Sequence, residues 1–270
     1  MSRITARFEE LLGRGEGALI AFVTAGDPEI EATPKIAKAL EEGGADMIEL
    51  GLCFSDPIAD GPTIQAASER ALKAGMNPDI YFETVRKIRK IVKVPLICLT
   101  YFNLVLKRGI NHFMEDCRKS GIDGVIIPDL PVEEADEVME KADENGVDVI
   151  FLVAPTTTEE RMKKILNSAR GFVYLVSLLG VTGARKELSK TVGETVRRAR
   201  RASEKRIPLA VGFGISTPEH VREVIRSGAD GAIVGSAIVN IMAKNKKNLE
   251  RMSGRVREFV KQLKRATLPQ

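Results

Sequence analysis

Eight short apolar segments, separated by amphipathic stretches, constrain the fold of this chain more than any other feature of its sequence. The segments are rich in Val, Ile and Leu and are apolar nearly throughout, as strands covered on both faces are. They lie at residues 18–24, 46–50, 95–100, 124–127, 149–153, 172–177, 208–212 and 231–234. The pattern predicts eight buried strands that alternate with helices, and therefore parallel βα units.

The stretches between the strands place apolar residues on one helical face, as in the stretch with Ile30, Thr33, Ile36, Ala37 and Leu40. The last stretch, residues 249–263, predicts a long closing helix. First helical turns are expected at Pro28, Pro78 and Pro218, and Thr217 is expected to cap the last of these.

The even spacing of eight strands over 270 residues favours a closed (β/α)8 TIM barrel over an open sheet. An open doubly wound sheet usually carries a Gly-rich fingerprint after its first strand. Here residues 24–28 read Thr-Ala-Gly-Asp-Pro and lack that spacing. Because no linker or composition shift divides the chain, we expect residues 1–270 to form a single domain.

The charge balance and the cysteines indicate where such a protein works. A net charge of +4 is too small an excess for a polyanion-binding surface, and we interpret the basic run at residues 197–201 as a solvated helix face. No apolar run approaches the ~18 residues that span a bilayer, and no apolar signal core is present. Cys53, Cys98 and Cys117 form no CxxC pair, which favours a reducing compartment. We expect a cytoplasmic protein that binds neither nucleic acid nor membrane.

The seventh and eighth strands are followed by glycine-containing loops, in a fold whose chemistry sits where strands end. The glycines let backbone N–H groups approach an anion, and a following helix N-terminus adds its dipole. A single Gly-x-Gly could be only a tight turn. Two glycine-containing loops, one after the seventh strand and one after the eighth, predict a phosphate site and therefore a small phosphorylated substrate. The residues are Gly212, Phe213, Gly214, Gly235 and Ser236.

Glu49 stands in the otherwise apolar stretch Met47-Ile48-Glu49-Leu50-Gly51, so it must be paired, protonated or functional. A core ion pair with a lysine is the alternative. The loop at residues 51–62 that follows contains two aspartates. Asp56 before Pro57 is typical of a turn, and Asp60 alone could equally be a turn or cap residue.

Other kinds of catalytic group are scarce at the predicted strand ends. His112 and His220 lie in helical patterns that a barrel turns outward, which makes a metal site or a Ser-His relay unexpected. No lysine ends a strand, which disfavours a Schiff base. Acid–base chemistry therefore falls to carboxylates, and a glutamate in apolar surroundings can both take and give protons.

Five stretches of the chain resemble the tryptophan synthase alpha chain family in order and spacing. The most specific is Glu-Leu-Gly at 49–51 followed by Phe-Ser-Asp-Pro-Ile-Ala-Asp-Gly-Pro at 54–62. The others lie at residues 22–28, 129–132, 180–185 and 212–215. The resemblance covers essentially the whole chain and implies retro-aldol cleavage of indole-3-glycerol phosphate to indole and glyceraldehyde 3-phosphate.

The resemblance also implies roles for individual residues. Glu49 would protonate the ring carbon that bears the side chain and relay a proton from the glycerol hydroxyl, while Asp60 would accept the indole N–H. The indole would pack against Phe22, Leu99, Tyr101 and Tyr174. Tyr174 alternates with Phe172 and Val176 on one strand face, consistent with an inward direction.

By the same resemblance, a loop at residues 178–190 would close over the site, with Thr182 positioning Asp60 and Gly183 helping to hold the phosphate. No cofactor is expected in this chain. The partner would be a pyridoxal-phosphate β chain, usually in an α2β2 assembly, docking at Asp56 and Pro57. Two positions depart from the family. Cys53 stands where the family generally has proline, and Leu178-Leu179 follows Ser177 where many bacterial members have an arginine.

Two other functions are compatible with such a barrel. One is a catalytically idle activator of the β chain, which the intact pair of Glu49 and Asp60 argues against. The other is a different phosphate-binding enzyme of aromatic biosynthesis, such as indole-3-glycerol phosphate synthase. That enzyme is expected to use a strand-end lysine, which this sequence does not offer.

Overall fold

A computed structural model describes residues 1–177, 185–203 and 207–269 and contains one parallel sheet. Its strands run in the order β5-β4-β3-β2-β1-β9-β8-β7-β6. They are β1 (Ala18–Thr24), β2 (Met47–Gly51), β3 (Leu96–Leu99), β4 (Gly124–Ile126), β5 (Asp148–Ile150), β6 (Leu152–Val153), β7 (Val173–Val176), β8 (Leu209–Gly212) and β9 (Gly231–Val234). The predicted parallel βα architecture is confirmed.

The fifth predicted strand, residues 149–153, is divided at Phe151 into β5 and β6. The reason is a change of partner, because β5 pairs with β4 whereas β6 pairs with β7. The carbonyl oxygen of Phe151 accepts a hydrogen bond from the amide of Tyr174, 3.0 Å away. The two ends of the sheet thus meet in one stretch of chain, which closes the TIM barrel.

Helices cover the outside of this barrel. They are α1 (Arg3–Gly13), α2 (Ala32–Glu42), α3 (Pro62–Lys73), α4 (Pro78–Arg89), α5 (Phe102–Arg108), α6 (Ile110–Ser120), α7 (Asp136–Asn145), α8 (Glu159–Ser168), α9 (Arg185–Ala202), α10 (Pro218–Arg226), α11 (Ser236–Asn245) and α12 (Leu249–Arg265), with a 3-10 turn at Val132–Glu134. In the described part of the chain, no helix is both long and apolar enough to cross a membrane.

Most of the helix boundaries follow the sequence expectations. Pro78 and Pro218 open α4 and α10, and the Thr217 hydroxyl accepts a hydrogen bond from the amide of His220, as a cap should. Pro28 was expected to open a helix, and this is wrong. It lies in a turn after a cis Asp27–Pro28 bond, and α2 begins only at Ala32. The predicted loop at residues 178–190 is too long, because α9 begins at Arg185.

Side chains alternate between the barrel interior and the helix layer along each strand. Ile20, Met47, Ile97 and Phe172 form an inner cluster, and α1 closes its lower end with Phe8, whose ring centroid lies 5.7 Å from that of Phe172. The alternate residues pack beneath the helices. Two positions after Met47 on the same strand face, Glu49 therefore points into the barrel.

Aspartates clamp neighbouring strands together at the N-terminal rim. Three aspartates, Asp46, Asp123 and Asp230, each stand directly before a strand. Each accepts the amide hydrogen of a residue at the start of the strand that precedes its own in the chain. The distances are 2.7 Å from Leu19, 2.8 Å from Leu96 and 2.7 Å from Leu209. Asp46 is fully buried and also binds Arg7 and Lys264. This rim holds the strands in register and leaves the opposite rim for the site.

The basic run at residues 197–201 is only in part the solvated face that the sequence indicated. Arg198 donates to the carbonyl oxygens of Pro155 and Thr157, at 2.8 and 2.6 Å. Arg200 donates to the carbonyl oxygen of Ile207 at 2.8 Å and pairs with Asp230. These two arginines therefore fasten α9 to the barrel, which the interpretation from local pattern missed.

Candidate active site

A cavity of about 710 Å³ opens at the C-terminal rim of the barrel. It brings the two carboxylates and both glycine loops to one place. Its lining residues are Phe22, Glu49, Asp60, Gly61, Pro62, Ile64, Leu99, Tyr174, Val176, Ser177, Phe213, Gly214, Ile215, Ser216, Ile233, Gly235 and Ser236. Nine of these were predicted as site residues, some from their place at strand ends and glycine loops and others, such as Phe22, Leu99 and Tyr174, from the family resemblance.

Glu49 is a buried acid with no ion-pair partner among the described residues. Its side chain sits on the inward face of β2, the residue is 1% exposed, and Oε2 has no hydrogen-bond partner among the described residues. Burial, followed by the negative charge of Asp60, raises its pKa from 4.5 to about 8. No lysine or arginine in the described ranges pairs with it, so the ion-pair alternative finds no support there. Glu49 is therefore protonated near neutral pH and can act as an acid.

Asp60 lies across the cavity mouth, just before α3. Burial raises its pKa to about 6, while a hydrogen bond from the Tyr101 hydroxyl opposes that rise. The same hydroxyl oxygen accepts the amide hydrogen of Ala59 at 3.1 Å, and Gln65 Nε2 donates to the Asp60 carbonyl at 2.8 Å. Asp60 is thus held in place and is largely ionised when Glu49 is still protonated. The two carboxyls can perform different tasks at one pH.

The wall between the carboxylates and the glycine loops is apolar. Phe22, Leu99 and Tyr174 line it as predicted, joined by Ile64 and Ile233. This surface suits a flat aromatic group. Tyr101 was predicted to belong to the wall, but it does not line the cavity. Its ring stacks on Phe54, with centroids 5.4 Å apart, and its hydroxyl reaches Asp60, so its contribution is to support the carboxylate.

The glycine loops place backbone amides at the cavity, and two of these have no acceptor among the described residues. Phe213 and Gly214 both have left-handed backbones, with φ of 67° and 71°. No acceptor among the described residues receives the amide hydrogens of Gly214 or Ile215. Gly235 is the N-cap of α11 and Ser236 its first residue, so the N-terminus of this helix also opens onto the cavity. Such donors suit a phosphate group.

Gly212 was predicted to help bind the phosphate, but the structure gives this glycine another role. It does not line the cavity, and a Cβ placed on it would lie 2.1 Å from Tyr174 Oη. The absence of a side chain at this position makes room for the tyrosine ring and not for an anion.

Two further predicted residues, Thr182 and Gly183, lie outside the described residues. The residues that the site prediction missed are Gly61, Pro62, Ile64, Val176, Ser177, Ile215, Ser216 and Ile233. Ser177 and Ser216 lie at strand ends and could have been found by that rule, whereas Ile64 comes from the first turn of α3. No cluster of three or more His, Cys, Asp or Glu that could hold a metal occurs in the described ranges.

Comparison with known proteins identifies relatives along nearly the whole chain. The family model "Tryptophan synthase alpha chain" matches residues 8–268. The tryptophan synthase alpha chain of Methanosarcina acetivorans is 52% identical over 257 residues, covering 95% of this chain and 92% of the relative. That of Methanosarcina barkeri is 49% identical over 265 residues, covering 98% of each.

Solved structures agree with the sequence relatives. The alpha subunit of tryptophan synthase from Legionella pneumophila superposes with a TM-score of 0.91 at 35% identity, covering 99% of this chain and 98% of that one. A chain of the tryptophan synthase complex from Pyrococcus furiosus gives 0.83 at 41% identity, covering 92% and 98%. The barrel, its two carboxylates and these matches lead to one assignment. This chain belongs to the tryptophan synthase alpha chain family.

Proposed function

We propose that Glu49 and Asp60 carry out the lyase reaction of this family, the cleavage of indole-3-glycerol phosphate to indole and D-glyceraldehyde 3-phosphate. The observation that carries the proposal is the buried carboxyl of Glu49, whose Oε2 has no hydrogen-bond partner among the described residues, in a cavity that also contains Gly214 and the N-terminus of α11. The acid, the apolar wall and the anion site of this cavity correspond to the substrate's reacting carbon, its ring and its phosphate, respectively.

Glu49 begins the reaction in its protonated form. Its proton goes to the ring carbon that bears the glycerol chain, and the positive charge that results is shared with the ring nitrogen. The Glu49 carboxylate then takes the proton of the hydroxyl on the adjoining carbon. That C–O bond becomes a carbonyl, the carbon–carbon bond breaks, and its electron pair neutralises the ring, so Glu49 ends protonated as it began.

Asp60 stabilises the charge that appears between these two steps. As a fixed carboxylate it accepts the ring N–H, and this interaction strengthens once the ring has been protonated. An attraction between Asp60 and the ring that is stronger in the transition state than in the bound substrate lowers the activation barrier. An attraction of equal strength in both states would not. Tyr101 keeps Asp60 in place for this task.

The two ends of the substrate have separate binding surfaces. Phe22, Leu99 and Tyr174 would hold the indole ring. The amides of Gly214, Gly235 and Ser236 would hold the phosphate, with Gly183 joining them by analogy with the family.

The partner in this proposal is a tryptophan synthase β chain that carries pyridoxal phosphate and converts indole and serine to tryptophan in an α2β2 assembly. Asp56 and Pro57 would form part of the contact, together with the neighbouring Ile58, whose side chain is 81% exposed. The complex from Pyrococcus furiosus supports such an assembly. Three free, buried cysteines support a cytoplasmic location.

Indole release from indole-3-glycerol phosphate tests the proposal. Glu49→Gln should lower kcat by at least ~10²-fold, the scale of positioned acid–base catalysis. Asp60→Asn should also lose activity while circular dichroism shows an intact fold. Glu223→Gln is the matched control, because Glu223 also has a buried oxygen without a partner among the described residues. It lies on α10 and does not line the cavity, so this variant should keep wild-type activity.

A Glu49→Gln chain with near-wild-type indole release would remove Glu49 from the mechanism. Adding a β chain, pyridoxal phosphate and serine to the same assay should convert the indole to tryptophan. Failure of that step alone would contradict the proposed partner and leave the cleavage reaction untouched.

A further inference from the structure

We propose that Ser177 is a positioning residue that sets the shape of the anion-binding loop at Phe213 and Gly214. The inference rests on the proposed function, because it concerns how that phosphate site is prepared before substrate arrives. Neither the family resemblance nor strand-end reasoning gave this serine a role.

Ser177 follows β7 directly and lies at the cavity wall, 4% exposed. Its amide donates to the carbonyl oxygen of Gly212 at 3.0 Å. Its hydroxyl oxygen lies 2.8 Å from the same carbonyl oxygen and also contacts the carbonyl oxygen of Phe213. A hydroxyl has one proton to donate, so a single O–H serves two consecutive carbonyls of the neighbouring loop.

The loop needs such support because Phe213 has a backbone conformation that non-glycine residues avoid. Its φ of 67° is left-handed, where Cβ lies too close to the carbonyl oxygen. Two contacts with described residues hold it there, one with the Ser177 hydroxyl and one an edge-on packing of its ring against Tyr174, with centroids 5.7 Å apart. Without the hydroxyl, the Phe213 peptide would be free to turn.

The direction of that peptide determines which group faces the substrate. In a trans peptide the carbonyl and the following N–H point in opposite directions. Because the Phe213 carbonyl is turned toward Ser177, the N–H of Gly214 points away from it. Gly214 lines the cavity, and no described residue accepts this hydrogen. Ser177 therefore keeps the Gly214 amide donor turned away from its own hydroxyl and available to an anion in the cavity, in the manner of a preorganised site.

This role predicts a specific kinetic effect. No hydrogen bond joins Ser177 to Glu49 or Asp60, so its loss should weaken binding of substrate and transition state alike. Ser177→Ala should raise KM for indole-3-glycerol phosphate about tenfold, the size expected when a bond that holds a strained residue is removed, with kcat changed less than about twofold. Ser177→Thr, which keeps the hydroxyl, should restore most of the loss.

Ser120→Ala is the matched control. Ser120 is also buried and donates its hydroxyl to a backbone carbonyl, that of Cys117 at 3.0 Å, but it ends α6 and does not line the cavity. It should leave KM and kcat unchanged. Thermal unfolding of all variants separates loss of binding from loss of fold, and a crystal structure of ligand-free Ser177→Ala should show Phe213 outside the left-handed region.

Calorimetric titration with glyceraldehyde 3-phosphate, inorganic phosphate and unphosphorylated glyceraldehyde completes the test. The wild type should prefer the phosphorylated ligands, and Ser177→Ala should lose most of that preference. If the wild type shows no preference, the proposed phosphate site is wrong. If it does and Ser177→Ala keeps both the preference and the loop conformation, or Ser177→Thr is as impaired as Ser177→Ala, the inference about Ser177 alone is overturned.

Discussion

The buried carboxyl of Glu49 should make the stability of this protein depend on pH in a way that Glu49→Gln removes. Its pKa rises from 4.5 in the unfolded chain to about 8 in the folded one, first through burial and then through the charge of Asp60. A folded pKa above the unfolded value means that the folded chain holds the proton more tightly. This carboxyl therefore has no effect below pH 4.5, lowers stability progressively between about 4.5 and 8, and adds no further change above that.

The size of the effect follows from the same values. Each pH unit between the two pKa values lowers the free energy of unfolding by about 1.4 kcal/mol, which gives roughly 5 kcal/mol over the whole window. Glutamine has nearly the same shape and cannot ionise. The difference in unfolding free energy, Glu49→Gln minus wild type, should therefore grow by about 3–4 kcal/mol between pH 5 and pH 8.

Guanidinium unfolding followed by far-ultraviolet circular dichroism at several pH values measures this difference. Subtracting the wild type removes the contribution of the other titrating groups, because both chains share them. A difference that stays constant from pH 5 to pH 8 would mean that Glu49 ionises normally, and the account of a desolvated acid would be refuted.

Three further results are expected. The pH profile of kcat/KM should be bell-shaped, rising as Asp60 loses its proton near 6 and falling as Glu49 loses its proton near 8; a profile without the alkaline limb would contradict the assigned roles. Gly235→Val should raise KM with little change in melting temperature, since a Cβ there lies 3.0 Å from the Phe22 ring at the cavity; an unchanged KM would argue against this contact. Asp46→Ala should lower the free energy of unfolding by about 3–5 kcal/mol in denaturant titration, because two cationic side chains lose their buried partner, while kcat of the folded fraction stays unchanged.

The architecture and the location of the site could be predicted from local sequence alone. Apolar runs separated by helical patterns predicted the barrel, and the alternation of Tyr174 with Phe172 and Val176 along one strand was consistent with an inward direction of Tyr174. These properties depend on neighbours in sequence. The division of the fifth strand at Phe151 could not be predicted, because it reflects which strands lie on either side.

Several other errors arise from distant contacts. Arg198 and Arg200 look like solvated residues in sequence, yet their long side chains reach carbonyl oxygens in other segments. Gly212 looks like an anion-binding glycine, yet its neighbour in space is Tyr174. Ser177 acts on a loop 35 positions away in the chain. Spacing alone contains no information about such pairs.

The aspartate clamps at the N-terminal rim, which were not predicted, do correspond to a pattern in the sequence. A glycine stands two residues before each of the rim aspartates Asp46, Asp123 and Asp230, and each of these glycines has a positive φ, of 96°, 91° and 94°. The same three-residue pattern, Gly-x-Asp, precedes the corresponding strand each time. A search for internal repeats would have found these clamps before the structure did.

The protonation state of Glu49 is the property on which the proposed chemistry depends most directly. Carbon-13 NMR of chain labelled at glutamate carboxyls, with Glu49→Gln used to assign the resonance, measures it. The account predicts one carboxyl that titrates near pH 8 and moves to lower pH in Asp60→Asn, where the neighbouring charge is gone. If the Glu49 resonance instead titrates near 4.5, the residue is ionised at neutral pH and cannot supply the proton that starts the cleavage.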